Sequence, residues 1–100
     1  MIRHTVMFKF LPEAGGRSAL ENAAETKKRL EALQGKIPTL VRSEVFLRGA
    51  GAPENCDLML VAEYNDWEGL HEYIVHPLHK AIGEFMRPLR ESRACFDYEY

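Results

Sequence analysis

Five consecutive apolar residues, Leu58 to Ala62, constrain the fold of this chain more than any other segment. A strand that is apolar on both of its faces lies in a sheet that is covered on both sides. The segment is far shorter than the roughly 20 apolar residues that a membrane-spanning helix needs. We therefore expect a central strand here and no membrane span.

Three other segments alternate between apolar and polar residues, as half-buried strands do. They cover residues 2–10, 41–48 and 94–100. In the first strand the apolar face consists of Ile2, His4, Val6, Phe8 and Phe10. In the last strand one face carries Phe96, Tyr98 and Tyr100, and the other carries Cys95, Asp97 and Glu99. Together with the central strand, these segments predict a four-stranded sheet.

Two helical regions separate the predicted strands. Ser18 and Glu21 have the spacing of a capping box, which starts the first helix, and Gly35 is expected to end it. The second helix is predicted to begin at Trp67 and to break before Pro77, because the residue before a proline is pushed away from helical geometry. A short further helix is expected after the proline.

The resulting order, β-α-β-β-α-β, predicts an α+β fold of the ferredoxin-like type with a four-stranded antiparallel sheet. Right-handed crossovers place both helical regions on the same face of that sheet. A chain of 100 residues is the size of one domain, so we expect a single domain over residues 1–100.

Helices on one face leave the other face of the sheet bare, although the strands carry apolar residues on both faces. Large exposed apolar patches are rare on monomers, so we predict that a second copy covers this face and that two sheets form a dimeric α+β barrel. The alternative is a monomer whose open face is wetted by Arg42, Glu44, Asp57 and Glu63.

The overall charge argues against two classes of partner, and the cysteines indicate the compartment. A formal net charge of −2 offers no electrostatic footprint for nucleic acid or for an anionic membrane. Cys56 and Cys95 form neither a CxxC motif nor a disulfide framework, as in proteins of a reducing cytoplasm. The strand pattern begins at the first residues, so no signal peptide is expected.

Four segments together are similar to the stress-responsive dimeric α/β-barrel (Dabb) family over the whole length of the chain. They are the opening His4–Lys9, the step Ile37–Pro38, the segment Tyr73–His79 with the pattern Y-x-x-H-P-x-H, and the closing Phe96–Tyr98. Members of that family are small homodimers of the fold predicted above. The resemblance to a plant polyketide cyclase of that family implies intramolecular aldol chemistry without a metal or an organic cofactor.

The resemblance also assigns positions. It places the general base of the cyclase at His79, its substrate-holding tyrosine at Tyr73 and its N-terminal strand histidine at His4. Two further polar pocket residues of the cyclase correspond here to Leu30 and Leu58, which form no side-chain hydrogen bonds. We expect His4, Phe8, Leu30, Leu58 and Ile74 to contact the bound molecule.

The residues support similar chemistry without the resemblance. A histidine titrates near neutral pH, so His79 can take a proton from a carbon beside a carbonyl group. The phenol of Tyr73 can donate to the enolate oxygen that results. The alternative is structural, with His79 bonded to a backbone carbonyl and Tyr73 packed in the core.

Two other patterns have simpler explanations. His76 and His79 have the H-x-x-H spacing of a metal-binding pair, but Pro77 interrupts the helix that would align them, so we predict no metal site. We expect His76 to lie in a turn, its ring satisfying a freed carbonyl. Arg87, Arg90 and Arg93 can hold a carboxylate or phosphate, although a solvated helix face explains them better.

The sequence thus predicts a cytoplasmic homodimer that binds a small apolar or aromatic molecule between helices and sheet. If it is an enzyme, cofactor-independent cyclase or lyase chemistry with His79 and Tyr73 fits the residues. One alternative is a non-catalytic ligand-binding or stress-protective dimer. A weaker one is a cofactor-independent monooxygenase or a haem-handling relative.

Overall fold

The structure is a computed structural model that describes all residues from Met1 to Tyr100. Seven main elements follow one another in the order β-α-β-β-α-α-β. They are β1 (Ile2–Phe10), α1 (Ala19–Glu31), β2 (Arg42–Leu47), β3 (Leu58–Tyr64), α2 (Trp67–Val75), α3 (Pro77–Met86) and β4 (Arg90–Glu99). The predicted fold is confirmed, with the second helical region divided in two at the proline.

The four strands form one antiparallel sheet in the order β2-β3-β1-β4. As expected, the strand that is apolar on both faces lies inside the sheet, between β2 and β1. Leu58, Leu60 and Ala62 are buried against the helices, and Met59 and Val61 are half-buried on the opposite face. In β1 the even-numbered residues are buried, as their alternation predicts.

Helix α1 begins at the predicted capping box. The hydroxyl of Ser18 accepts the backbone N–H of Glu21 at 3.2 Å, and the carboxylate of Glu21 accepts the N–H of Ser18 at 3.0 Å. The helix ends at Glu31, earlier than predicted, because the chain continues in turns up to Gly35. Gly35 has a φ of +85°, which glycine adopts without the strain that a Cβ would cause.

The break between α2 and α3 lies at His76 and Pro77, as predicted. His76 has extended backbone, and Pro77 occupies the first position of α3, where its missing N–H costs nothing. The ring of His76 does not satisfy a carbonyl, however. Its Nδ1 accepts the backbone N–H of Leu78 at 3.1 Å, so His76 caps the start of α3 instead.

The helices cover only part of the sheet. Packing places α1 over β1 and β2, and α2 over β3 and β1, whereas β4 is exposed over almost all of its length. The face away from the helices is called the open face below. Its most exposed apolar side chains are Met7, Phe46, Phe96 and Tyr100.

Polar residues occupy only part of the open face. Arg42, Glu44 and Glu63 lie there, as expected. Asp57 does not, because the residue is only 6% exposed and its carboxylate accepts the backbone N–H of Phe10 at 2.8 Å. None of the helices is long and apolar enough to cross a membrane.

Candidate functional site

A cavity of about 350 Å³ lies between α3 and the face of the sheet that the helices cover, next to β4. Residues of β1 and β3 line its floor, and residues from all three helices line its walls. Its apolar lining consists of Val6, Phe8, Leu30, Leu60, Ile74, Ile82 and Met86. Its polar lining consists of His4, His79, Lys80, Glu84, Arg87, Arg90 and Arg93, with Gly83 on α3 between them.

Five of the seven predicted site residues line this cavity: His4, Phe8, Leu30, Ile74 and His79. Tyr73 and Leu58 do not. Leu58 is 2% exposed and belongs to the apolar core, beside Phe8 and Leu47 in the sheet register. Tyr73 is 1% exposed and lies behind His79.

His79 joins the two helices that flank the break. Its Nδ1 lies 3.1 Å from the carbonyl oxygen of Ile74, in the last turn of α2, where carbonyls have no partner within the helix. A carbonyl only accepts, so Nδ1 carries the proton and Nε2 holds a free lone pair. From the sequence, we expected this hydrogen bond only if His79 had a structural role instead of a role in the site. In the structure, His79 both makes the hydrogen bond and lines the cavity.

The surroundings of His79 keep its ring neutral. Burial lowers the pKa of His79 below its ordinary value of 6.5, and the positive charges of His4 and Arg93 act in the same direction. The hydrogen bond to Ile74 opposes this shift but does not outweigh it. At neutral pH the ring can therefore accept a proton at Nε2.

Tyr73 supports the ring of His79 from the core. The two ring centroids are 4.5 Å apart, and the ring of Tyr64 packs on Tyr73 at 5.2 Å. Burial raises the pKa of Tyr73 to about 12, so its phenol stays protonated. The hydroxyl of Tyr64 is buried without a hydrogen-bond partner of ordinary geometry, and burial raises its pKa as well.

His4 has a carboxylate partner that the sequence argument did not identify. Asp97 lies directly opposite His4 in the β1–β4 register, and its Oδ1 is hydrogen-bonded to Nδ1 of His4. His4 is 3% exposed, so this bond satisfies a buried polar ring. The alternation of the last strand put Asp97 on one face with Cys95, but only the strand register shows which residue it meets.

Cys95 completes a small cluster with His4 and Asp97. Its Sγ lies 3.4 Å from the carboxylate of Asp97 and 3.7 Å from Nδ1 of His4. The three ligand atoms lie within 4.8 Å of one another, as in a metal site. A metal would have to displace the hydrogen bond between His4 and Asp97, and burial raises the pKa of the Cys95 thiol, which disfavours the thiolate that metals bind.

The prediction that Arg87, Arg90 and Arg93 lie on a helix face is wrong for two of these residues. Arg90 and Arg93 lie on β4, and Arg87 is the residue that ends α3. All three line the cavity, together with Lys80. Glu91, which lies between Arg90 and Arg93 in the sequence, pairs with Lys9 at 3.5 Å.

A family model described as the stress responsive A/B barrel domain matches residues 2–100. Among solved structures, a dimeric protein of unknown function and ferredoxin-like fold from Bacteroides fragilis is 30% identical, with a TM-score of 0.88. The match covers 99% of this chain and 95% of that one. No curated protein matches the sequence significantly.

Two enzymes share the fold at lower identity. Hydroxynitrile lyase from Passiflora edulis is 11% identical with a TM-score of 0.78, over 97% of this chain and 90% of that one. SnoaB, a cofactor-independent oxygenase from Streptomyces nogalater, is 13% identical with a TM-score of 0.75, over 99% and 91%. These likenesses concern the fold alone. The family model covers nearly the whole sequence, and the chain therefore belongs to the stress responsive A/B barrel domain family.

Proposed function

We propose that each subunit binds a small apolar or aromatic molecule in the cavity and that His79 acts there as a general base. The reaction is a cofactor-independent proton transfer of the cyclase or lyase type, at a carbon beside a carbonyl group. The observation that carries this proposal is the position of His79, whose Nδ1 is held by Ile74 at 3.1 Å while its ring lines the cavity.

The hydrogen bond to Ile74 prepares His79 for this role. It selects the tautomer with the lone pair on Nε2, and burial keeps the ring unprotonated at neutral pH. Tyr73 packs against the ring and acts as a positioning residue, because it does not reach the cavity. A positioned general base of this kind contributes about 10²- to 10⁴-fold to a reaction rate.

His4 is the second polar group beside the floor of the cavity. When its pair with Asp97 is in the charged form, Nδ1–H donates to the carboxylate and Nε2–H remains free as a donor. Such a donor can stabilise the enolate oxygen that forms when a carbon loses its proton. His4 thus takes the part that the sequence argument gave to the phenol of Tyr73.

The test is hydrogen exchange at carbon. With 4-phenylbutan-2-one in D₂O, the protein should accelerate deuterium uptake beside the ketone, measured by proton NMR. His79→Ala should reduce this rate at least 100-fold, and His71→Ala, at an exposed histidine outside the cavity, should leave it unchanged. Equal exchange with His79→Ala and the unmodified protein would remove His79 from the chemistry.

One observation favours a non-catalytic binding protein as the second candidate. The seven apolar residues of the lining include Leu30, where the related cyclase carries a polar side chain, and Tyr73 contributes no hydroxyl to the cavity. Binding of the ketone without any exchange would support this candidate. The oxygenase alternative has only the shared fold in its favour.

We propose further that two copies pair through the open face. Phe96 is 70% exposed, and the rings of Phe96, Tyr98 and Tyr100 form a ladder with centroids 6.0 Å apart. The guanidinium of Arg3 lies over the rings of Tyr98 and Tyr100, 5.5 and 4.3 Å from their centroids, in cation–π contacts. The solved relative from Bacteroides fragilis is described as dimeric.

Light scattering of the purified protein at micromolar concentration should give the mass of a dimer. A monomer under those conditions would contradict the pairing.

A cytoplasmic location is part of the same proposal. Its support is the cysteine usage of the sequence, because Cys56 and Cys95 form no CxxC motif.

A further inference from the structure

Four cations line the cavity without forming an ion pair. Lys80, Arg87, Arg90 and Arg93 line it, and none of them forms an ion pair with a carboxylate of the chain. Glu84 is the single acidic residue in the lining. The chain as a whole has a net charge of −2, so this concentration of positive charge is local to the cavity.

A β-bulge turns two of these arginines to the same face. In a regular strand, residues three apart point to opposite faces. Between β1 and β4 the register shifts at Lys9 and Phe10, so that Arg93 opposes Phe8 and Arg90 opposes Phe10. Both therefore share the face of the buried phenylalanines, which is the cavity side. Bulges commonly redirect side chains in this way.

The backbone positions of Arg93 and His4 lie apart along the floor of the cavity, but the side chain of Arg93 reaches toward Cys95, which lies beside His4. Phe8, opposite Arg93, is four residues along β1 from His4, which is about 13 Å at roughly 3.3 Å per residue. Between these positions the lining is apolar, with Val6 and Leu60 on the floor. A ligand that fills the cavity therefore meets cationic side chains, an apolar floor and two imidazoles.

We propose that the ligand of this cavity is a carboxylic acid with an apolar, aromatic body, whose carboxylate pairs with Arg90 and Arg93. Guanidinium groups bind carboxylates through two parallel hydrogen bonds, and two unpaired arginines on one strand face provide that chemistry. The inference rests on the proposed function, because it assigns the class of molecule that the same cavity binds.

The experiment compares two ligands with the same phenylalkyl body, one ending in a carboxylate and the other in a neutral hydroxyl group. We expect 4-phenylbutanoate to bind at least tenfold more tightly than 4-phenylbutan-1-ol, measured by isothermal titration calorimetry. The double variant Arg90→Gln with Arg93→Gln should remove that difference and leave binding of the alcohol unchanged. Added salt should weaken binding of the acid more than binding of the alcohol, because it screens charge at an exposed mouth.

Two further variants serve as controls. Arg17→Gln with Lys28→Gln removes the same amount of charge at exposed positions outside the cavity, and it should leave both affinities unchanged. Gly83→Leu should abolish binding of both ligands, because it fills the cavity. Thermal unfolding followed by circular dichroism confirms that each variant folds.

The outcomes separate the inference from the proposed function. Equal affinity for acid and alcohol, with no effect of the arginine variant, would overturn the inference and leave the binding cavity intact. Preference for the acid that survives the arginine variant would overturn it as well. If neither ligand binds, or if Gly83→Leu changes neither affinity, the proposed binding cavity fails and the inference fails with it.

Discussion

The imidazole of His79 donates its Nδ1 proton to the carbonyl oxygen of Ile74 across 3.1 Å. This hydrogen bond satisfies a carbonyl that the end of α2 leaves without a partner, and it fixes the orientation of a ring that lines the cavity. One contact therefore has a structural and a chemical consequence. It bridges the helix break at Pro77, and it leaves Nε2 as the basic nitrogen.

The depressed pKa of His79 predicts a pH dependence of stability. Because the pKa is below 6.5 in the folded state, the unfolded chain binds more protons just below that pH, and the free energy of unfolding rises with pH through this window. The stabilisation is present above 6.5 and is lost as the pH falls through the folded pKa. Urea unfolding between pH 5 and 7.5 should show this rise, and His79→Ala should flatten it.

The comparison with His71→Ala isolates this effect. His71 is exposed on α2 and lies outside the cavity, so its removal should preserve the slope of the unmodified protein. A His79→Ala variant with an unchanged slope would show that the ring of His79 has the same pKa in both states.

Gly83 controls how much space the cavity has. It lies inside α3, and a Cβ built on it would meet no atom within 4 Å. Gly83→Ala should therefore raise the free energy of unfolding by about 0.5–1 kcal/mol, since alanine favours the helix. Gly83→Leu should project into the cavity and abolish ligand binding.

Ala81→Leu is the matched control for Gly83→Leu. Ala81 is exposed on the same helix but does not line the cavity, so the larger side chain should leave ligand affinity unchanged. Calorimetry with 4-phenylbutanoate measures both variants. Full affinity in Gly83→Leu would mean that the ligand occupies another place.

The pair of His4 and Asp97 should contribute measurably to stability. Asp97→Ala leaves the nearly buried ring of His4 without its partner, and a buried polar group that loses its hydrogen bond costs about 1–3 kcal/mol. Glu99→Ala, at an exposed position on the same face, should change the free energy of unfolding by less than about 0.5 kcal/mol. Equal effects in urea unfolding would show that the hydrogen bond contributes nothing.

Phe96→Glu should convert the proposed dimer into a monomer. A charge at the centre of a buried apolar interface has no partner and is costly to desolvate. Leu20→Glu provides the control, because Leu20 is 53% exposed on α1, away from the open face. Light scattering should give a monomer for Phe96→Glu and a dimer for Leu20→Glu. A dimer in both cases would place the interface elsewhere.

Local signals in the sequence were sufficient for most of the fold. The alternation in β1, the capping box of Ser18 and Glu21 and the proline at position 77 each act over a few residues, and each was predicted correctly. Residues 58–62 had no polar face, and this placed their strand inside the sheet. Such signals depend only on residues that are close together in the sequence, so the sequence alone reveals them.

The parts of the site that were missed depend on long-range register. Asp97 meets His4 because two distant strands pair at those residues, and no local pattern specifies that alignment. Arg90 and Arg93 were expected on a helix, because residues three apart share a helix face. On β4 a bulge between them also places them on one face of the strand. Tyr73 was expected in the cavity, but it lies with Leu70 on the face of α2 that packs into the core.

Strand β4 divides its residues between two surfaces by parity. From residue 95 onwards, odd-numbered side chains meet His4 and its neighbours, and even-numbered ones form the aromatic ladder. A deletion of one residue after Arg93 would exchange the two sets, placing rings beside His4 and a carboxylate among the rings. Natural variation in this strand should therefore proceed by substitution, and its length between Arg93 and Tyr100 should stay constant among relatives that keep both surfaces.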